Sequence, residues 1–163
     1  MLTFRQFSER LVDPLELAKR VSRRYGTKTS YGKWDKTEKG GSIPLKKYSG
    51  RESNSVFAKY DKHLKKHIGS VMPAKRDDKE WAAKRDALYS PAKHEIYSLH
   101  PTQPYVRTND HDILKNKINN KNSDHIVTAS HKGKTYVLDG HHAVMAASMR
   151  GDKHINAKHI DLD

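Results

Sequence analysis

Val137-Leu-Asp-Gly-His-His-Ala-Val-Met-Ala-Ala-Ser-Met-Arg-Gly151 decides how this chain folds. Val137 and Leu138 close a strand, Asp139-Gly140 breaks it, and residues 141–150 form a helix with a small apolar face, stopped by Gly151. A strand that turns this tightly into a helix makes a candidate site. Gly140 lets the backbone come close to a ligand, and the first helical N–H groups point outward unpaired, which favours an anion. His141 and His142 supply donors or general acid–base capacity near neutral pH, and Asp139 can orient an imidazole or hold a metal ion. The plainer alternative is that Asp139 and His141 only cap the helix. Adjacent residues at a helix start point about 100° apart, so the two histidines do not readily share one metal.

Working upstream, His125–Ser130 and Thr135–Leu138 have strand composition and are joined through Lys132-Gly133 as a hairpin. Downstream, a last strand covers His154–Leu162. Further back, Glu95–Leu99 has the composition of a strand and Pro101-Thr-Gln-Pro104 that of a rigid turn. Asp110 or Asp112 caps a helix carrying Ile113, Leu114 and Ile118. His125, His131, His154 and His159 fall on separate elements without short two-ligand spacing, so a histidine-only zinc site is the weaker idea.

Charge separates this part from what precedes it. Of 32 Lys+Arg and 19 Asp+Glu in 163 residues, nine and eight fall in 94–163, a net +1 that leaves +12 on the first 93. Two compositionally different parts therefore meet near Pro91: a basic, mainly helical region 1–93 and a mixed part 94–163. The basic part points to a polyanion partner, nucleic acid first and DNA before RNA, with a solvated, highly charged arm as the alternative.

Asp13-Pro14 starts a helix whose apolar stripe includes Leu15, Ala18 and Val21 and whose end carries Arg20, Arg23 and Arg24. Those arginines complement the helix dipole or touch phosphates. Residues 26–55, with five of the nine glycines, have the composition of a flexible linker. A second helix is expected from about Ser55 to His67. Val56, Phe57, Tyr60, Leu64 and Ile68 share one face, and Lys62, Lys65 and Lys66 lie mostly off it. A third follows Pro73, starts near Asp77 or Asp78, and is ended by Ser90-Pro91.

No run of residues is apolar enough to span a membrane, and Arg5, Glu9, Arg10 and Asp13 interrupt what would be a secretory leader. The chain has no cysteine, which excludes disulfides, a thiolate nucleophile and Cys-ligated metals. The expected location is the cytoplasm, or the virion interior for a phage-encoded protein. The opening Met1-Leu-Thr-Phe-Arg-Gln-Phe7 resembles the start of many tailed-phage proteins.

The order strand, Pro-x-Gln-Pro turn, helix, hairpin, Asp-Gly-His-His turn, helix, strand resembles the ParB/sulfiredoxin-like superfamily over about residues 94–163. Pro101–Pro104 looks like the first ParB box, and Asp139–His142 looks like the Asp-Gly-His-His-Arg phosphate-binding turn. The resemblance implies an α+β fold with a small mixed sheet, preceded here by the basic helical region. It implies a phosphate site lined by Gly140, His141 and His142, with Gln103 across the pocket. ATP, ADP or CTP are the nucleotides such sites take, and members include partition proteins, kinases, sulfiredoxins and proteins called ParB-like nucleases.

Three departures narrow this. Ala143 stands where the family has Arg, removing a bidentate phosphate clamp for which Arg150 or Lys153 would have to substitute. The sulfiredoxin cysteine is missing, so that activity is excluded. Partition proteins carry a helix-turn-helix domain after the nucleotide domain, whereas this sequence ends at Asp163, so full partition function is not expected. The expectation is a DNA-binding ParB-like protein that acts, if it is an enzyme, as a nuclease. In that case His141 or His142 is the acid or base and Asp139 holds a magnesium ion. The alternatives are a non-catalytic module binding DNA, a virion protein or a host protein, and, ranked last, a small-molecule kinase.

Overall fold

A computed structural model describes residues 42–45, 47–107 and 125–163. Among them run β1 (Ser42–Pro44), α1 (Gly50–Ile68), α2 (Lys79–Asp86), β2 (Ser90–Glu95), a single 3-10 turn (Ile96–Ser98), β3 (Leu99–Pro101) and β4 (Tyr105–Arg107). Then follow β5 (Val127–His131), β6 (Lys134–Asp139), α3 (His141–Arg150) and β7 (His154–Asp161). The architecture is a mixed α+β fold. β1 pairs antiparallel with β4, and the other five strands form one sheet in the order β2-β7-β5-β6-β3. Within it β2/β7 and β5/β6 are antiparallel, whereas β5/β7 and β3/β6 are parallel.

Strand alternation sorts the core into two sides. Leu99, Val137 and Ile155 face α3, where Ala143–Ala147 and Met149 join them with Ile96, Ile126 and Val106 in the larger cluster. Ala129, Tyr136 and Ile160, in register across β6, β5 and β7, face the opposite way and bury Val56 of α1, with Tyr60, Leu88 and Tyr89 at the margin. The sheet is thus sandwiched, α3 on one face and α1 on the other.

The local signals around the opening stretch act as their chemistry dictates. Lys132 and Gly133 both take positive φ, 50° and 77°, the two-residue hairpin turn whose twist matches its strands. Gly140 and Gly151 bracket α3, each left-handed, at φ 91° and 81°. A Cβ on Gly140 would come within 3.0 Å of the His125 carbonyl oxygen and of Ile126 Cα, so only glycine fits between strand and helix.

Elsewhere the structure corrects the sequence reading. The second helix begins at Gly50, not near Ser55, because Ser49 caps it: its Oγ accepts from the Glu52 N–H at 3.3 Å. Glu52, first-turn acid of that Ser-x-x-Glu pattern, reaches instead to Lys134 Nζ at 2.7 Å and docks α1 on β6. Of the expected apolar face, Val56 and Leu64 are buried and Tyr60 and Ile68 half-buried, while Phe57 is exposed.

The third helix is present, with Asp78 Oδ1 accepting from the Trp81 N–H at 3.0 Å. Ser90-Pro91, expected only to end it, opens β2, and Glu95–Leu99 holds a 3-10 turn rather than a strand. Proline is tolerated there because β2 is an edge strand, where one missing N–H costs little. Part of the expected 26–55 linker is ordered as β1 and the start of α1, β1 being held by its ladder to β4.

The compositional boundary near Pro91 falls inside β2, and α1 from the basic side is a layer of the same fold. The helices expected after Asp13 and over Ile113–Ile118 lie outside the described residues. No helix among the described residues is long and apolar enough to cross a membrane.

Candidate functional site

Parallel pairing of β3 with β6 brings the two quoted motifs together. Strands that run the same way end at the same edge, so the turn after Pro101 and the turn after Val137 emerge side by side, Pro101 being in register with Val137. The joint between them is made by Thr102. Its backbone N–H donates to His141 Nε2 at 3.1 Å, and its hydroxyl donates to the Val137 carbonyl at 2.6 Å. Both residues are buried.

This contact fixes the chemistry of His141. An Nε2 that accepts from an amide leaves Nδ1 as the protonated nitrogen, and a second proton would displace the Thr102 N–H. Burial first, and the neighbouring His142 second, push its pKa down to about 4. His141 is therefore neutral at physiological pH and ties the two turns together. As a general acid or base it would first have to give up that bond.

His142 is placed differently. It is half-buried, and its Nε2 is enclosed without a hydrogen-bond partner among the described residues. Asp139 is exposed, and its Oδ1 accepts from the Gly140 N–H at 2.8 Å. The N-cap position of α3 is Gly140, whose carbonyl accepts the first helical bond from Val144 at 3.0 Å; no side chain caps the helix. The amides of His142 and Ala143 thus have no acceptor within the helix, leaving a positive dipole end next to a glycine.

Gln103, expected across the pocket, bonds within its own loop: its Nε2 donates to the Tyr105 carbonyl at 2.9 Å. Thr102, one position earlier in the same Pro-Thr-Gln-Pro turn, is the residue that meets the helix. The sequence offered no local signal for that choice, because it depends on a partner 39 positions away. Arg150 does not replace the clamp missing at Ala143. It sits at the opposite end of α3, in an ion pair with Asp152 at 3.1 Å. No group of three or more His, Asp or Glu among the described residues has the geometry to hold a metal ion. Asp139 belongs to no such group.

The basic residues expected to meet nucleic acid divide between two places. Lys62, Lys65 and Lys66 are exposed on α1, together with Arg51 and Lys59. No ion pair engages any of the five among the described residues. Arg20, Arg23 and Arg24 lie outside the described residues. The α1 cations and the Asp139–His142 turn are on opposite faces of the sheet and are not brought together.

Comparison with known proteins finds no family model, no curated protein and no solved structure that matches this chain.

Proposed function

We propose that this chain is a DNA-binding protein of ParB-like type, whose contacts to the nucleic-acid backbone are made by the outer face of α1. The observation that carries this is the set Arg51, Lys59, Lys62, Lys65 and Lys66, all exposed on one helix and unengaged by carboxylates among the described residues. Point cations spaced along a helix suit phosphates, which supply affinity without reading sequence. The Gly140 turn fits a smaller role, accepting one phosphate group on the amides of His142 and Ala143.

The test is the affinity for a short DNA duplex across a salt series. Replacing Lys62, Lys65 and Lys66 together by alanine should weaken binding for every sequence alike and reduce the log–log salt slope by about 2–3. An unchanged slope would remove α1 from the interface.

A second reading is phosphodiester hydrolysis at the turn, favoured by the His142 Nε2, which no group among the described residues engages and which a substrate reaches once its enclosing neighbours part. It predicts that His142→Ala abolishes nicking while DNA affinity stays intact. Equal nicking by wild type and variant would remove His142 from the chemistry, and no nicking by either leaves a non-catalytic binding module.

A further inference from the structure

On the α3 side of the sheet, five polar side chains from three strands form one unbroken chain of hydrogen bonds. His94 Nε2 on β2 lies 2.9 Å from Thr128 Oγ1 on β5, and that hydroxyl lies 2.9 Å from His159 Nδ1 on β7. His159 Nε2 lies 3.3 Å from Ser130 Oγ, which donates to Asp161 Oδ1 at 3.1 Å. We infer that this chain is a proton-operated latch on the edge strand β2, which keeps its bonds with one added proton and releases β2 when a second arrives.

Its direction follows from the donors available. A carboxylate only accepts, and Asp161 is held ionised by the Asp163 N–H at 3.1 Å and by Ser130. Ser130 therefore spends its proton on Asp161 and accepts from His159 Nε2–H. His159 Nδ1 is then the acceptor for the Thr128 hydroxyl, and Thr128 Oγ1 accepts from His94 Nε2–H. Every proton in the chain has one place, and both imidazoles carry theirs on Nε2.

A first added proton enters at His94 Nδ1 and leaves all these bonds in place. A second must go to His159 Nδ1, which is itself the acceptor of the Thr128 hydroxyl in the chain. Thr128 is fully buried, so its proton would be left without a partner. The two cationic rings would also stand with centroids 5.0 Å apart. Burial already holds both histidines below the usual imidazole range, and the neighbouring ring lowers His94 further.

Among the described residues the other groups bearing on the site can be named. Asp161 is the one other charged residue facing it from β7. Lys93, Glu95, His154 and Lys158 alternate onto the other face. From β6, Thr135 and Val137 bring no charge, and Asp139, next on that face at the strand's end, has its Oδ1 engaged by the Gly140 N–H. α3 carries His141 and His142 in its first turn and Arg150, paired with Asp152, in its last.

β2 is the element with most to lose. None of its six residues is buried, and it lies at the edge of the sheet. Among the described residues, and beyond its ladder to β7, the His94 bond is the one side-chain hydrogen bond that ties β2 to a buried residue.

The experiment is amide hydrogen exchange by NMR on the full chain between pH 7.5 and pH 5, read as protection factors for β2 against those for α3. In wild type, β2 should lose at least about tenfold more protection than α3, one pKa unit being a tenfold change in protonation. His94→Gln should abolish that excess, and Thr128→Ser, which retains the hydroxyl, should keep it. β2 and α3 losing protection in parallel, or the same β2 excess in His94→Gln, would overturn the latch. Ring nitrogen shifts at pH 7.5 give an arm independent of any variant: His159 found protonated on Nδ1 reverses the chain and excludes the mechanism.

Discussion

The two helices that sandwich the sheet follow opposite rules. α3 has ten residues, of which eight are buried, and between its histidines and Arg150 it is apolar except for Ser148. α1 has nineteen, of which only Ser53, Val56 and Leu64 are buried, and its outer face is lysine and arginine. A helix enclosed on most sides has little freedom in sequence, so the paired histidines at its start, His141 and His142, stand out. A helix enclosed along one stripe is free elsewhere, and its charges are set by solvent or by a partner. For this reason the proposed DNA contacts and the proposed phosphate-accepting turn belong to different helices.

Substitutions can break that contrast, and the largest effect is expected in α3. Met145→Ala should cost about 2–5 kcal/mol, because Met145 is 1% exposed within the larger core cluster, whereas Met72→Ala at 71% exposure should stay within about 0.5. Chemical denaturation of the two variants checks this. Equal losses would mean that α3 is not the enclosed helix.

Next come two glycines with similar φ. Gly69→Ala, at φ 94° with nothing within 4 Å, should cost about 1–2 kcal/mol from backbone strain alone. Gly140→Ala adds a clash with the backbone of His125 and Ile126 and should cost about 2–4 kcal/mol. A gap between them reports how tightly the α3 turn sits on the sheet, and its absence would loosen that picture.

A smaller effect is expected from pH. Unfolded His141 titrates near 6.5 and folded His141 near 4, so between those values the unfolded chain binds the extra proton. Stability is fully present above pH 6.5 and falls as pH drops toward 4, by up to about 1.4 kcal/mol per unit. In His141→Gln, the side-chain oxygen can still accept from Thr102 without titrating, and the slope should flatten. Denaturation midpoints at pH 7, 6 and 5 measure it, and an unchanged slope would show that His141 is not buried as described.

The smallest effect on stability belongs to α1. The alanine variant at Lys62, Lys65 and Lys66 should unfold within about 0.5 kcal/mol of wild type while losing its salt-sensitive binding. A large loss of stability would mean that the lysines serve packing, not a partner.

What the sequence disclosed, it disclosed where the cause is local. Gly140 and Gly151 announce both ends of α3, Lys132-Gly133 announces a hairpin, and Asp78 announces a cap, since each acts on residues within one turn. Ser49-Gly-Arg-Glu52 carried the same kind of signal for α1 but was masked by the glycine-rich composition around it. β2 was hidden because Ser90-Pro91 announces a stop unless the strand is known to be an edge. In the site, the glycine turn and its paired histidines were legible. The division of labour between His141 and His142 was not, because it is imposed by Thr102 from the turn after β3. The His94–Thr128–His159 bonds, between residues 34 and 31 positions apart, left no mark in the sequence pattern.

The parallel pairing of β3 with β6 also bears on the order in which the molecule assembles. The β5–β6 hairpin and α3 need only near neighbours and can form on the microsecond scale, about 1–10 μs for a hairpin. The Thr102–His141 bond has to wait for a loop spanning 39 positions to close, and such long-range closure is the slow part of folding. During refolding, the His141 ring should therefore lag behind the hairpin in reaching its native environment. A fragment beginning at His125 would carry every residue of the Asp139–His142 turn and still lack the strand that holds it.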